Sequence, residues 1–210
     1  MYIPESFKQD DSEAIQRLIA NHPLASLITF ADGRLEANHL PLLYLPPSEG
    51  APQGKLLGHV AKANSVWNTN QSIAALAIFQ GPEQYISPNW YPSKHETGRA
   101  VPTWNYTAVH VHGTLTFHQD AEWLRNAVTK LTIHQEAVEP SPWQVTDAPA
   151  DYITGMLKAI IGLELHITRI EAKWKVSQNR SADDRTAVAT ALERQDTTQA
   201  HQMAKEIRKL

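Results

Sequence analysis

The segment from Trp104 to His118 alternates in character, with Val109, Val111, Leu115 and Phe117 on one parity and Trp104, Tyr106, His110, His112 and His118 on the other. Successive side chains of an extended chain point to opposite faces, so the pattern predicts a long strand with one apolar and one polar face. Such a strand needs partners, and the rest of the sequence supplies them. Leu24 to Phe30 and Arg34 to Tyr44 flank Asp32-Gly33, a pair that favours a tight antiparallel hairpin. Lys55 to Val60 and Ile73 to Phe79 read as further strands, the latter ended by Gly81-Pro82. Gly162 to Trp174 alternates through Leu163, Leu165 and Ile167 and then changes phase at Ile170, which predicts a bulge.

Helical spacing is confined to other places. Ile15, Leu18 and Ile19 predict a helix over 11–21, closed by His22-Pro23. Asn64 is positioned to cap a short helix through Trp67, and Asp120 opens a helix running to about Glu136 with Trp123, Leu124, Ala127, Val128 and Leu131 on one side. A short helix is expected near 152–160. Two more follow over 182–192 and 197–210, where Ser181-x-x-Asp184 and Asp196-x-x-Gln199 approximate capping boxes. Between Tyr85 and Trp104 three prolines and a polar centre predict an irregular loop, a kind of segment that is usually functional. Six or seven strands without one helix per strand exclude a parallel doubly wound sheet. The expected class is mainly β with peripheral helices (α+β), an antiparallel barrel. All 210 residues are expected in one domain with an N-terminal helix, a helical insertion around 120–160 and C-terminal helices over 182–210.

Composition narrows the chemistry. With no cysteine, thiolate nucleophiles, disulfides and Cys-ligated metal centres are excluded. The net charge of -3 is the wrong sign for a protein that binds nucleic acid over a broad surface. No signal-like or membrane-length apolar stretch occurs, so a cytoplasmic location is expected. Ten His and six Trp residues are the unusual counts, which makes their placement informative. His110-x-His112, with His118 on the same parity, has the spacing of metal-binding strands. The same strand stretch lacks an acidic residue, and a polar strand face beneath a helix or at a subunit contact is the favoured explanation of the pattern; no metal site is assigned. There is no G-x-S-x-G, no Walker A motif and no G-x-G-x-x-G.

A flavin mononucleotide needs a cation and N–H donors for its phosphate, a flat apolar slot for its ring and hydrogen bonds for the pyrimidine edge. Lys62 after Gly58-His59-Val60, Lys175 at the head of a polar run to Arg180, and Trp90, Tyr91, Trp104 and Tyr106 offer each of these. The same aromatics also serve as core or interface residues, and lysines are ordinarily solvated.

Several strings taken together are more specific. MYIPESF, NHLPLL at 38–43, GHVAKANSVW at 58–67, FQGPEQYISPNWYPSK at 79–94, VPTWNYTAVHVHG at 101–113 and K-x-SQNR at 175–180 resemble, in order and over nearly the whole chain, the PaiB family of FMN-binding negative transcriptional regulators. The resemblance implies an FMN-binding split β-barrel related to pyridoxamine-phosphate oxidases, a homodimer with flavin near its interface, and FMN as cofactor. It implies that Asn38 and His39, with His59 to Lys62, hold the phosphate and ribityl chain. Tyr85 to Ser87 would pass the ring, Trp104 and Asn105 would cover it, and Lys175 and Gln178 would approach from the C-terminal segment.

The expected function is that of a flavin- or redox-linked regulator; the alternative is a flavin-dependent oxidoreductase on a small substrate. No catalytic residue is assigned, although His39, His59 and His110 are acid or base candidates because imidazole titrates near neutrality. Haem is a rival ligand in so His-rich a chain. Direct DNA binding is disfavoured, because the two C-terminal helices mix charges and lack a tight glycine turn, whereas a recognition helix should be basic. No membrane partner is expected.

Overall fold

A computed structural model of the chain describes residues 1–31, 33–68 and 72–210. Its elements are α1 (Ser12–Asn21), β1 (Leu24–Ala31), β2 (Arg34–Pro41), β3 (Leu43–Leu45), β4 (Lys55–Ala61), β5 (Ile73–Ile86), α2 (Pro92–Thr97), β6 (Thr103–His118), α3 (Ala121–Glu136), α4 (Ala150–Leu157), β7 (Ile160–Lys175), α5 (Ala182–Glu193) and α6 (Thr198–Arg208). The seven strands hydrogen-bond in the order β2-β1-β5-β6-β7-β4-β3. This is the antiparallel sheet with peripheral helices that the alternation predicts. The chain separates into two compact units, the first comprising Met1–Leu18, Gln80–Val109 and Glu171–Leu210, the second Ile19–Phe79 and His110–Ile170. No helix among the described residues is long and apolar enough to cross a membrane.

In the second unit β1 and β2 pair from Leu24↔Pro41 to Ala31↔Arg34. The Asp32-Gly33 turn itself lies partly outside the described residues, Asp32 being one of those omitted; Gly33 has φ +74°, the left-handed backbone such a link requires. β1 also pairs β5 (Ser26↔Ile78), and β4 pairs β7 from Lys55↔His166 to Ala61↔Ile160. The helical insertion has its own small core of Leu124, Val145, Ile153 and Leu157. Asp120 caps α3 by accepting from the Trp123 N–H at 2.8 Å. The Trp123 indole packs where Gly162 lies on β7: a Cβ there would meet the ring at 2.1 Å, so only glycine admits this contact.

In the first unit α5 and α6 bury Val188, Ala189 and Leu192 and Ala200, Met203, Ala204 and Ile207. Along β7 the buried apolar side chains are Ile161, Leu163, Leu165 and Ile167 and then Ala172 and Trp174, but Glu164 and Lys173 are buried too, so burial does not simply change parity.

Three local expectations need correction. β5 does not stop at Gly81-Pro82 but continues to Ile86. Gly81 is needed because a Cβ would lie 2.3 Å from Thr107 Oγ1, so the glycine marks a close approach and not an end. The 85–104 segment is more ordered than a loop, with a 3-10 turn over Pro88–Trp90 and α2 after it, both begun by proline in the first turn. The capping boxes are incomplete. Ser181 accepts from Asp184 N–H, but the Asp184 carboxylate turns to Ser93; α6 is capped by Thr197, one residue later than expected.

Candidate functional site

The sequence candidates fall into two groups, one in each unit. In the first unit Tyr85, near the end of β5, and Trp104, at the start of β6, stand edge to face with ring centroids 6.1 Å apart. Both rings are partly open to solvent, at 42% and 54% exposure, and so offer flat apolar surface to a ligand. Behind them the Lys175 ammonium, at the end of β7, donates to Thr103 Oγ1 and to the Trp104 carbonyl oxygen. Burial pushes its pKa down, and the neighbouring cations Lys173 and Arg180 push the same way. A half-buried ammonium without a carboxylate partner among the described residues gains from an incoming anion or carbonyl.

Asn105 does not share a face with Trp104, because adjacent strand residues point apart. It is buried at 1% exposure and donates to Ser177 Oγ at 2.9 Å, while its own Oδ1 has no partner among the described residues. Ser177 has φ +71°, a left-handed backbone uncommon outside glycine. Gln178 braces that turn: its Oε1 accepts from Val176 N–H at 2.8 Å and its amide donates to the Trp174 carbonyl. Its side chain is therefore engaged with the backbone. Ser87 is engaged too, accepting from Asn89 N–H at 3.2 Å as the cap of the Pro88–Trp90 turn.

Residues that the sequence reading did not assign to the site hold this group in place. Asp184, 3% exposed, accepts from Ser93 N–H at 3.1 Å and from Ser93 Oγ at 2.7 Å, tying α5 to the start of α2. The Arg180 guanidinium lies over the buried Tyr91 ring at 4.5 Å; burial raises the Tyr91 phenol, and the Arg180 charge opposes it. The strings YPSK and SQNR contain Tyr91, Ser93, Ser177 and Arg180, so the motifs signalled importance without disclosing who pairs with whom.

In the second unit Asn38 and His39 lie on β2. Asn38 Oδ1 accepts from Asn64 Nδ2 at 2.6 Å, and Asn64 Oδ1 accepts from Val66 N–H at 2.9 Å, the expected cap of Ser65–Trp67. His39 Nδ1 meets Ser26 Oγ at 3.1 Å. Lys62 is fixed by its backbone, its N–H donating to the Ala159 carbonyl and its own carbonyl accepting from the Trp67 indole, both at 2.8 Å. His59 is half-buried on β4, and its buried Nδ1 has no partner among the described residues; burial lowers its pKa and keeps it neutral. This group is an array of surface and rim hydrogen-bonding groups.

Of the three histidines of β6, His110 and His112 lie side by side with ligand nitrogens within 4.8 Å of each other, and His118 stands apart from them. His110 and His112 have ring centroids 6.5 Å apart, and the Arg169 guanidinium is 3.2 Å from His112 Nε2. His118 is stacked on Trp123 at 4.0 Å, so its ring belongs to the packing of α3.

Comparison with solved structures places this arrangement among known folds. The structure of the FAD and haem binding protein from Mycobacterium smegmatis aligns over 86% of this chain and 79% of its own, with a TM-score of 0.57 and 15% identity. The flavocytochrome Anf3 from Azotobacter vinelandii aligns over 80% of this chain and 69% of its own, with a TM-score of 0.55 and 13% identity. At such identities the likeness shows the fold, which is that of the split-barrel proteins. At the sequence level, residues 1–169 match the family described as "Putative FMN-binding domain". The protein "Protease synthase and sporulation protein PAI 2" of Bacillus subtilis is 31% identical over 205 residues, 97% of this chain and 95% of its own length. An uncharacterized Aspergillus fumigatus protein is 30% identical over 99% of this chain and 97% of its own. The chain belongs to this FMN-binding-domain family, the PaiB family that its motifs resemble.

Proposed function

We propose that the chain binds FMN and acts as a flavin- or redox-linked regulator. The observation that carries this reading is the first-unit group, in a chain of an FMN-binding-domain family: two partly exposed aromatic rings backed by a half-buried, charge-bearing Lys175. The residues fit the cofactor chemically. Tyr85 and Trp104 offer flat surface to an isoalloxazine, and Lys175 suits the polar edge of the ring. Taken by itself, the second-unit group offers hydrogen-bonding side chains of the kind a phosphate or ribityl chain uses, Asn38 part-buried and His39 exposed on β2. Bound FMN would supply one- or two-electron redox chemistry.

The regulatory part of the reading rests on the Bacillus subtilis relative, whose name refers to protease synthesis and sporulation. The C-terminal helices favour indirect regulation over DNA contact. Arg208 is bonded to Glu193 at 3.0 Å and Lys209 to Glu206 at 2.6 Å, so two of the three basic side chains at the end of α6, Lys205 being the third, are already paired with carboxylates. A homodimer is part of the proposal, supported by an apolar strip on β1 and β2: Leu24, Phe30 and Leu35 are 66%, 62% and 76% exposed, and Phe30 and Leu35 are direct cross-strand partners. Light scattering should find a dimer for the native chain and a monomer for Leu35→Lys.

The deciding experiment is titration of flavin-free protein with FMN, followed by absorbance and flavin fluorescence. One flavin per chain supports the reading, and no uptake at micromolar flavin overturns it. Bleaching of the bound flavin by NAD(P)H with turnover of a small acceptor would favour the oxidoreductase instead. A Soret band on haem addition would favour the ligand named for the Mycobacterium smegmatis neighbour.

A further inference from the structure

We propose that the cleft between α3, α4 and the first residues of β7 is a second binding site, for a small organic anion with an apolar body such as a medium-chain carboxylate. The cleft encloses about 340 Å³, at the lower end of the range typical of small-molecule sites. Its floor is apolar and belongs to the insertion core: Leu124, Leu157 and Ile161 are 3%, 7% and 1% exposed. Its rim carries three cations, Lys62, Arg125 and Lys158, against a single carboxylate, Glu122.

That concentration of positive charge runs against the chain's net charge of -3. Elsewhere some basic side chains pair with carboxylates, as Arg17 with Glu13, Lys55 with Glu164 and Arg208 with Glu193, and others, such as Lys175, do not; what distinguishes the cleft is the gathering of three cations around one apolar floor. None of Lys62, Arg125 or Lys158 forms an ion pair with a described residue. Lys158 sits at the C-cap of α4, where a cation also suits the helix dipole, but that accounts for one of the three. Lys62 projects from a backbone held on both sides, through the Ala159 carbonyl and the Trp67 indole, so its position at the rim is preorganised. A negative head among the cations and an alkyl body over the leucine and isoleucine floor satisfy both halves of the cleft at once. An alkyl cation satisfies only the floor, and a small polar ligand without charge satisfies neither half.

The test uses the full-length protein and calorimetric titration with decanoate. One decanoate per chain is expected, with binding weakened by added salt and no competition from decyltrimethylammonium, which has the same body and the opposite charge. The double variant Arg125→Gln, Lys158→Gln removes exposed charges only and should fold as the native chain, checked by its melting curve. It is expected to bind decanoate at least about tenfold more weakly, the loss of charge-assisted hydrogen bonds, while its FMN titration is unchanged. Absence of saturable decanoate binding, or equal binding by the double variant, overturns the proposal. So does displacement of decanoate by one equivalent of FMN, which would make the cleft the phosphate end of the flavin site. Failure of FMN uptake with decanoate binding intact would overturn the flavin reading and leave this one standing.

Discussion

The two groups of candidate residues are held by different means. Around Lys175 the polar groups are buried and mutually bonded: Asn105 to Ser177, Asp184 to Ser93, Gln178 to its own turn. Around Asn38 the bonds are short but lie near the surface, where water competes for each of them. The first arrangement fixes side-chain positions before any ligand arrives, and its loss should unsettle the fold. The second leaves groups free to exchange water for ligand at little structural cost.

Substitutions can break that contrast. Asp184→Ala should have the largest effect, lowering stability in urea by about 2–3 kcal/mol, because two Ser93 donors lose a charged acceptor at a buried position. It should also speed proteolysis within 92–97. Next, Asn105→Ala should cost about 1–2 kcal/mol, leaving Ser177 without its donor, whereas Asn38→Ala should stay within about 0.5 kcal/mol. If the two asparagines cost the same, the contrast is wrong. Lys175→Met should weaken FMN at least about tenfold, roughly 1.4 kcal/mol, with little loss of stability, since it removes a penalised buried charge.

The smallest effect concerns pH. His59 and His118 have pKa values lowered by burial, so near and below the ordinary imidazole value of 6.5 the unfolded chain binds more protons than the folded one. Stability should therefore fall as pH drops through 6.5 toward the folded values, and hold steady above it. His59→Gln should flatten part of that slope in denaturation curves at a series of pH values.

Much of this was legible in local sequence. The alternation of β6, the Asp120 cap of α3 and the Asn64 cap all follow from spacing within a few residues. The motifs also disclosed the family. What stayed hidden was pairing across sequence distance. Asp184 looked like half of a capping box and instead serves Ser93; Gln199 looked like another and instead accepts from Glu83 N–H at 3.2 Å. Trp104 and Asn105 looked like joint covers of a ring, yet strand geometry sends them to opposite faces.

By itself, then, the sequence determined most of the strands and helices, though not α2, and the family, because periodicity and capping are encoded by neighbours along the chain. Only the tertiary structure decided that Gly81 admits Thr107, that Ser177 takes a left-handed turn beneath Asn105, and that Lys62, Arg125 and Lys158 meet at one cleft. Those relations join residues far apart in the chain, and the forces that set them, close packing and the need to satisfy buried polar groups, act through space.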